Sequence, residues 1–229
     1  MDVLTYNGKA FSEFNCFFDG SKAFGTPEKD YDILSVVGKS GDLSIYNNRY
    51  KDIELSFPCF IRRDFITNYR NLTAFLLTAE GYLRLETSKE PNYYRKALFL
   101  GGLEPTTTPF NHGGFFTINF RCHPQRWLKS GEIWVTPTSQ IFNPTLQVAK
   151  PIIRVTGTGT VQIGNRTVEI TTAGTEYIDI DCELQDAYEG AVNRNSNIEV
   201  DEFPVLHPGN NGIVTDGVTI KILPRWYEI

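Results

Sequence analysis

Alternation between apolar and polar residues is the dominant pattern of this chain and predicts β-strands along most of its length. From Phe116 to Cys122 the apolar residues fall at every second position, with Thr117, Asn119 and Arg121 between them, which is the period of a half-buried strand. Further strands are predicted at 53–61, 82–86, 93–100, 152–156, 160–171 and 177–182. The chain is therefore predicted to be mainly β.

Proline and glycine mark where these strands turn or lie exposed. Pro58 cannot donate to a ladder, so the strand at 53–61 is predicted to lie at a sheet edge or to carry a bulge. Asn7-Gly8 is a signal for a two-residue hairpin turn. A two-residue loop at Gly164-Asn165 would place Val161 opposite Val168 and keep the apolar residues of both strands on one face.

One segment has helical spacing instead. Phe65, Tyr69, Leu72 and Leu76 follow one another at intervals of four, three and four residues. Asp64 stands at the position of an N-cap, and Gly81 is placed to end the element. These residues predict one helix at about 65–78, inserted in a β domain.

The segment 30–61 predicts a strand, a glycine turn at Gly38–Gly41, a second strand, a turn at Asn47-Asn48 and a third strand. Two interpretations remain open for it. It is either an ordinary long hairpin or a projecting arm that clasps a neighbouring subunit.

The residues after Pro124 predict a boundary between two domains. Pro124 stops a strand, and Pro137, Pro144 and Pro151 follow at a spacing typical of a linker. A chain of 229 residues is long enough for two cores. We predict domains at 1–130 and 131–229, with residues 218–229 either completing the second domain or returning to the first.

The net charge of −5 argues against a protein that binds nucleic acid by neutralising phosphates. The N-terminus lacks the features of a secretory signal, and no apolar run is long enough to cross a membrane. A protein made and kept soluble in a cytoplasm is predicted. Its four cysteines are far apart and lie in apolar surroundings, which predicts buried free thiols.

Two aspartates on one predicted strand could serve chemistry. Asp179 and Asp181 lie about 7 Å apart on one strand face, near a separation that glycosidases use. A solvated strand face is the alternative. A calcium site that also includes Glu183 is a third interpretation, although the glycine and ligand rhythm of calcium loops is missing.

The remaining candidate residues form no recognisable site. The histidines, His112, His123 and His207, are scattered, and no nucleotide-binding or nucleophile motif occurs. The tryptophans, Trp127, Trp134 and Trp226, either stack on sugars or anchor a core or interface. We therefore expect no catalytic residue, no cofactor and no metal.

Several short strings follow one another in a fixed order along the chain. They are Val37-Gly-Lys-Ser-Gly-Asp-Leu43 with Asn48-Arg-Tyr, Gly81-Tyr-Leu-Arg-Leu-Glu86 with Pro91-Asn-Tyr-Tyr-Arg95, Phe120-Arg-Cys-His-Pro-Gln-Arg-Trp127, Asn143-Pro-Thr, Lys150-Pro-Ile-Ile and Ile222-Leu-Pro-Arg-Trp226. Together they extend over nearly the whole chain, and in this order they resemble the distal tail protein family of long-tailed, non-contractile bacteriophages and prophages.

The resemblance implies an N-terminal β-sandwich-like domain with one helix, which forms a homohexameric ring, and a small C-terminal galectin-like β-sandwich. Such a ring, at the distal end of the tail in the virion, joins the tail tube to the tip or baseplate and leaves a channel for DNA. It also implies contacts with the tail-tube protein and with the tail-tip or tail-associated lysin protein. A receptor-binding protein is a further partner that the resemblance leaves open. The protein would be synthesised in the bacterial cytoplasm.

Within such a ring, the hairpin around Asn47-Asn48 is predicted to hold neighbouring subunits together, through Leu43, Asn47, Asn48, Arg49 and Tyr50. Two other classes of function stay open beside the structural one. A carbohydrate-binding module contacting host cell-wall glycans would use exposed aromatics of the second domain. A glycoside hydrolase would use Asp179 or another carboxylate pair.

Overall fold

The computed structural model describes residues 2–20, 25–109 and 112–229. The chain divides into two compact units, Met1–Arg126 with Ile229, and Trp127–Glu228. Strands predominate in both, and the one α-helix of the described residues lies in the first unit. The prediction of a mainly β chain with one helix is confirmed. Independent folding of domains 1–130 and 131–229 stays a prediction.

The first unit contains ten strands and one α-helix among its described residues. They are β1 (Leu4–Tyr6), β2 (Lys9–Ala10), β3 (Cys16–Phe18), β4 (Lys29–Leu34), β5 (Leu43–Tyr50), β6 (Ile53–Ile61), α1 (Phe65–Leu77), β7 (Leu83–Thr87), β8 (Tyr93–Phe99), β9 (Thr106–Thr107) and β10 (Gly114–Cys122). Its sheet has the antiparallel order β2-β1-β7-β8-β10-β6-β3, with β9 beside β10. β4 and β5 pair only with each other among the described strands.

The core of the first unit lies between one face of this sheet and the helix. β6 and β10 bury every second residue, as their alternation predicted. Phe116 on β10 meets the rings of Phe65 and Tyr69 from α1, with centroids 6.4 and 5.4 Å away. Gly114 is required here because a Cβ atom at that position would lie 2.4 Å from the Phe65 ring.

β6 lies between β10 and β3, but β3 pairs only with residues 59–61, so Pro58 stands at a local edge, in agreement with the prediction, and without a bulge. β6 pairs with β10 in an unbroken register, where Pro58 faces Thr117. The Pro58 carbonyl accepts the backbone N–H of Asp19, which follows β3. In an antiparallel strand the N and O of one residue point to the same side, so the missing donor faces the position where β3 has ended.

The helix runs from Phe65 to Leu77, close to the predicted 65–78. Asp64 holds the predicted N-cap position, but its side chain makes no capping hydrogen bond. Its backbone has a left-handed conformation, and its carbonyl accepts the N–H of Asn68. No helix in the described part of the chain is both long and apolar enough to cross a bilayer.

β11 (Arg126–Leu128) begins at the boundary between the units, and the other strands of the second unit follow it. They are β12 (Gln140–Asn143), β13 (Ile152–Ile163), β14 (Arg166–Ile170), β15 (Ile178–Asp181), β16 (Asp186–Glu189), β17 (Val192–Asn193), β18 (Ile198–Val200), β19 (Gly209–Leu223) and β20 (Tyr227–Glu228). The main sheet runs β12-β19-β13-β15-β16-β17, and β14 pairs with β13 and β18.

Two long strands organise the second unit. β13 and β19 pair along their length, and the register shifts between Gly157 and Thr160. Before this irregularity β13 also pairs with β15, and after it with β14, so the two halves of the sheet share one apolar core in a β-sandwich-like arrangement. The predicted tight turn is confirmed, since Val161 faces Val168 and the loop is Gly164-Asn165.

The proline-rich segment that was interpreted as a linker is part of the second unit. β12 pairs with β19, and Ala149 bridges Leu206. Asn143 is buried, and its side-chain amide donates to the carbonyls of Gln147 and Leu206. The linker interpretation is therefore wrong. The polar composition suggested a segment exposed to solvent, but the Asn143 side chain forms hydrogen bonds with backbone groups inside the fold.

Candidate interaction surfaces

β4, β5 and the residues between them form a two-stranded ribbon, 29–50. Cross-strand partners near its tip are Leu34 with Leu43 and Asp32 with Ile45. The tip turns through Gly38 and Gly41, with φ of 81° and 87°, so the predicted glycine turn is confirmed. An isolated two-stranded ribbon is marginally stable in water, and among the described strands nothing extends this one into a larger sheet.

Both faces of the ribbon carry exposed apolar side chains. Successive residues of a strand point to opposite faces, which puts Tyr31 and Ile33 on one face and Leu34, Leu43 and Ile45 on the other. Each of these five side chains is more than 40% exposed, and Val37 at the tip is fully exposed. Exposed apolar surface of this extent is typical of sites that contact another molecule.

An ion pair fixes the base of the ribbon. Between the pairs Lys29 with Tyr50 and Tyr31 with Tyr46, β5 takes four residue steps where β4 takes two. The resulting bulge brings the Arg49 side chain 2.6 Å from Asp30. The hydrogen bond from Arg49 holds the pKa of Asp30 below its usual value, against the desolvation that would raise it.

The predicted turn at Asn47-Asn48 is wrong. β5 runs through both residues, and Asn48 takes a φ of 53° inside the bulge. The two asparagines imitate a hairpin signal because both a bulge and a turn use a left-handed residue. The five predicted interface residues nevertheless all lie on β5, with Leu43 next to the tip and Tyr50 at the base. Their part in an interface stays a prediction.

Sequence reasoning missed four further apolar residues of the ribbon. Ile33, Val36, Val37 and Ile45 are all exposed. The signal was present in the sequence, since β4 and β5 place apolar residues on both strand faces, whereas a half-buried strand has one apolar face.

An aromatic row crosses the outward face of the first unit's sheet. Phe17, Phe60 and Phe115 lie directly opposite one another on β3, β6 and β10, with ring centroids 5.9 and 6.3 Å apart. Phe115 is 60% exposed. A groove of about 690 Å³ opens on this face, and Pro58 and Glu104 also line it.

Asp179 and Asp181 are buried, so the predicted solvated face is wrong. Arg154 binds Asp179 through two hydrogen bonds of 2.7 Å, and Arg225 binds Asp181 through two of 2.8 Å. Burial would raise the pKa of Asp181, but the hydrogen bonds from Arg225 and from backbone N–H groups hold it below its usual value. Each carboxylate is thus engaged by its own arginine.

These arginines also argue against the calcium interpretation. Arg225 lies 3.6 Å from Glu183, so a guanidinium occupies the position between the acids that a cation would need. Among the residues that the structure describes, no three His, Cys, Asp or Glu side chains form a group that could hold a metal ion. The histidines are not brought together, and His123 packs on the ring of Tyr82, with centroids 4.0 Å apart.

The three tryptophans have structural contacts. Trp226 is buried, Trp127 packs on Tyr227 at 5.2 Å, and Trp134 covers the guanidinium of Arg154 at 4.6 Å. Trp134 is the most exposed of them. No observation on the described tryptophans favours sugar binding over anchoring.

Comparisons with known proteins give matches at the level of structure. No protein-family model matches the sequence, and no curated protein matches it. The crystal structure of the Dit protein of phage SPP1, described as a paradigm of the hub adsorption apparatus in phages that infect Gram-positive bacteria, matches with a TM-score of 0.73 and 13% identity over 100% of both chains. Chains of the phage p2 baseplate in its activated conformation match with TM-scores of 0.52 and 0.51 and 10% identity over 97% of both chains.

At these identities the similarity concerns the fold. The similarity extends over both units, because the SPP1 match covers the chain from end to end. The mainly β fold with one helix that the sequence resemblance predicted is therefore confirmed: this chain has the fold of the Dit protein of phage SPP1.

Proposed function

We propose that this protein is a structural component of a bacteriophage tail, which assembles into a hexameric ring between the tail tube and the tail tip or baseplate. The ring leaves a channel for DNA, and the second, galectin-like unit lies on its outside. Tail-tube protein contacts one side of the ring, and tail-tip or tail-associated lysin protein contacts the other. The protein acts in the virion, after synthesis in the host cytoplasm.

The fold supports this proposal, since the matching structures are a hub protein and baseplate chains of phages. The net charge of −5 is also suitable for the wall of a channel, because an acidic surface does not retain DNA.

One observation carries the proposal of self-assembly: the ribbon exposes apolar side chains on both faces. A lone ribbon does not bury such residues against itself. Burying one of them stabilises a complex by about 1.5–3 kcal/mol, so a contact that covers several is strongly favoured. A ring of identical subunits provides a partner for every ribbon, since each subunit donates one surface and receives on another.

Light scattering on the purified protein tests the ring. Six copies of the 26.0 kDa chain give a particle of about 156 kDa. In a variant in which residues 31–46 are replaced by a short Gly/Ser turn, the mass falls toward that of one chain, while the β signal in circular dichroism is retained.

The control inserts the same Gly/Ser residues at Gly164-Asn165, an exposed hairpin loop of the second unit, and leaves the mass unchanged. A parent protein that is monomeric at all micromolar concentrations would contradict self-assembly, and so would a ribbon-less variant that stays as large as the parent.

A further inference from the structure

The groove on the outward face of the first unit's sheet has a mixed lining of apolar and polar residues, and two acids, Asp19 and Glu104, are among them. Pro58, Phe60 and Phe115 provide apolar surface, and Glu104 brings a negative charge. Its volume of about 690 Å³ lies within the range of pockets that hold sizeable groups. No residue of the ribbon lines it, so within its own chain the ribbon does not cover this face.

The tip of the ribbon has the complementary character. Val36 and Val37 are exposed, Val37 completely, and Lys39 follows them with a positive charge. The six residues of β4 extend about 20 Å at about 3.3 Å per residue, which carries the tip well away from the ion pair at its base. The tip segment also contains Asp42, beyond Gly41, so the fit rests on the two valines and on Lys39, which match the apolar residues and the acids of the groove.

We infer that the ribbon tip of one copy, residues 36–42, lies in the groove of the next copy, with Val36 and Val37 against Phe60 and Phe115 and with Lys39 toward Glu104. This inference rests on the proposed self-assembly and names its receiving surface. Tip and groove are different surfaces, so the contact is head-to-tail. Contacts of this type close into a ring or continue as a filament.

A head-to-tail contact makes a specific prediction for mixtures. Val37→Glu damages only the tip, and Phe115→Glu damages only the groove; both side chains are exposed in the folded chain, so folding is retained. Each variant alone is a monomer, so its mass in solution is one sixth of the mass of the ring. Mixed one to one, they retain one intact tip and one intact groove, and light scattering detects a heterodimer with twice the mass of one chain that grows no further.

Val214→Glu is the matched control, because Val214 is 62% exposed on β19 of the second unit. It forms the full ring. A cross-linking experiment adds independent evidence: a Val37→Cys chain mixed with a Phe115→Cys chain gives a disulfide-linked heterodimer under oxidation, while either chain alone gives no specific dimer.

The outcomes separate the inference from the proposed function. If the parent forms a ring that Val37→Glu disrupts and Phe115→Glu does not, the ring stands and the receiving surface is wrong. If the parent is monomeric, the ring proposal fails, and the cysteine pair then decides the inference at high protein concentration. Failure of Val37→Cys and Phe115→Cys to cross-link under either condition overturns it.

Discussion

Two arginine–aspartate pairs hold buried carboxylates in the second unit. Asp181 is the most deeply buried partner, at 1% exposure, and its carboxylate receives two hydrogen bonds from Arg225 and two from the backbone N–H groups of Glu183 and Leu184. Removing one partner of such a pair leaves an uncompensated buried charge.

We expect Asp181→Asn to lower the free energy of unfolding by about 3 kcal/mol, measured by chemical denaturation. The control, Asp216→Asn on an exposed position of β19, changes it by less than about 0.5 kcal/mol. Equal stability of the two variants would mean that the pair contributes nothing to the fold.

Glu189 gives the second unit a defined acid sensitivity. Its carboxylate accepts the backbone N–H groups of Glu176 and Thr175, at 2.6 and 3.0 Å, and binds Arg194. The two backbone hydrogen bonds are the main reason that its pKa falls from 4.5 to about 2. A carboxyl whose pKa is lower in the folded state stabilises the fold fully above its unfolded pKa and loses this effect as the pH falls through the folded value.

The stabilisation from Glu189 is therefore present above pH 4.5 and lost as the pH falls toward about 2. Carboxyl NMR should place its titration midpoint near the lower value. In Glu189→Gln the unfolding free energy should vary less with pH across this window than in the parent, whereas Glu199→Gln, on an exposed position, should keep the parent's pH dependence. A Glu189 midpoint near 4.5 would contradict the hydrogen-bonded geometry.

At the residue scale, alternation correctly placed Asp179 and Asp181 on the strand face opposite Ile178 and Ile180. It did not predict their burial, because Arg154 and Arg225 lie 25 and 44 residues away along the chain. A periodic pattern shows which face of a strand a residue lies on. Whether that residue is buried depends on residues that are distant in sequence, and one sequence does not identify them.

Among the elements, β13 depends on a glycine at its irregular point. Gly159 has a φ of 139°, and a Cβ atom there would lie 2.1 Å from the Asp216 carbonyl oxygen. Gly159→Ala should destabilise the second unit by about 2 kcal/mol, because both the backbone conformation and the close approach exclude a side chain. Gly212→Ala on β19, where no atom lies within 4 Å of the added Cβ, should be close to neutral in thermal unfolding. Similar melting temperatures for the two variants would contradict this.

β12 depends on the buried amide of Asn143. In Asn143→Ala the N–H of Thr145 loses its partner, and the carbonyls of Leu206 and Gln147 each lose one of their two donors, at a cost of about 2 kcal/mol. Gln140→Ala, on the exposed side of the same strand, should leave the denaturation midpoint unchanged. If Asn143→Ala were as stable as Gln140→Ala, the segment would behave as the linker that its prolines suggested.

At the element scale, local rules performed well where the chain determines its own geometry. The helix at Phe65–Leu77 and the Gly164-Asn165 turn depend on spacing and turn chemistry within a few residues. The interpretation failed at Asn47-Asn48, since a bulge and a turn use the same left-handed residue and only the partner strand distinguishes them.

For the molecule as a whole, we predict no hydrolase activity. Asp179 and Asp181 are each bound by an arginine, which leaves neither free to act as acid or nucleophile. The purified protein should release no reducing sugar from host cell wall. Release that Asp179→Asn abolishes would show that the ion pair opens for catalysis.

At this scale the sequence resemblance predicted the fold, and the alternation predicted which strand faces form each core. The receiving groove was beyond sequence reasoning. Two of its apolar residues, Pro58 and Phe60, lie on β6, and a third, Phe115, lies on β10. These strands are distant in sequence, and only their register brings the three residues together.

All four cysteines, which lie within the described ranges, are buried and free. Burial raises the pKa of Cys122 and of Cys182 to about 12 each, so almost no reactive thiolate forms at neutral pH. Among the described cysteines no disulfide forms and no thiol is exposed, so the fold does not depend on the redox-sensitive cross-links that stabilise many secreted domains. Buried thiols of this kind are shielded from the redox state of the surroundings, so the melting temperature should be the same with and without a thiol reductant.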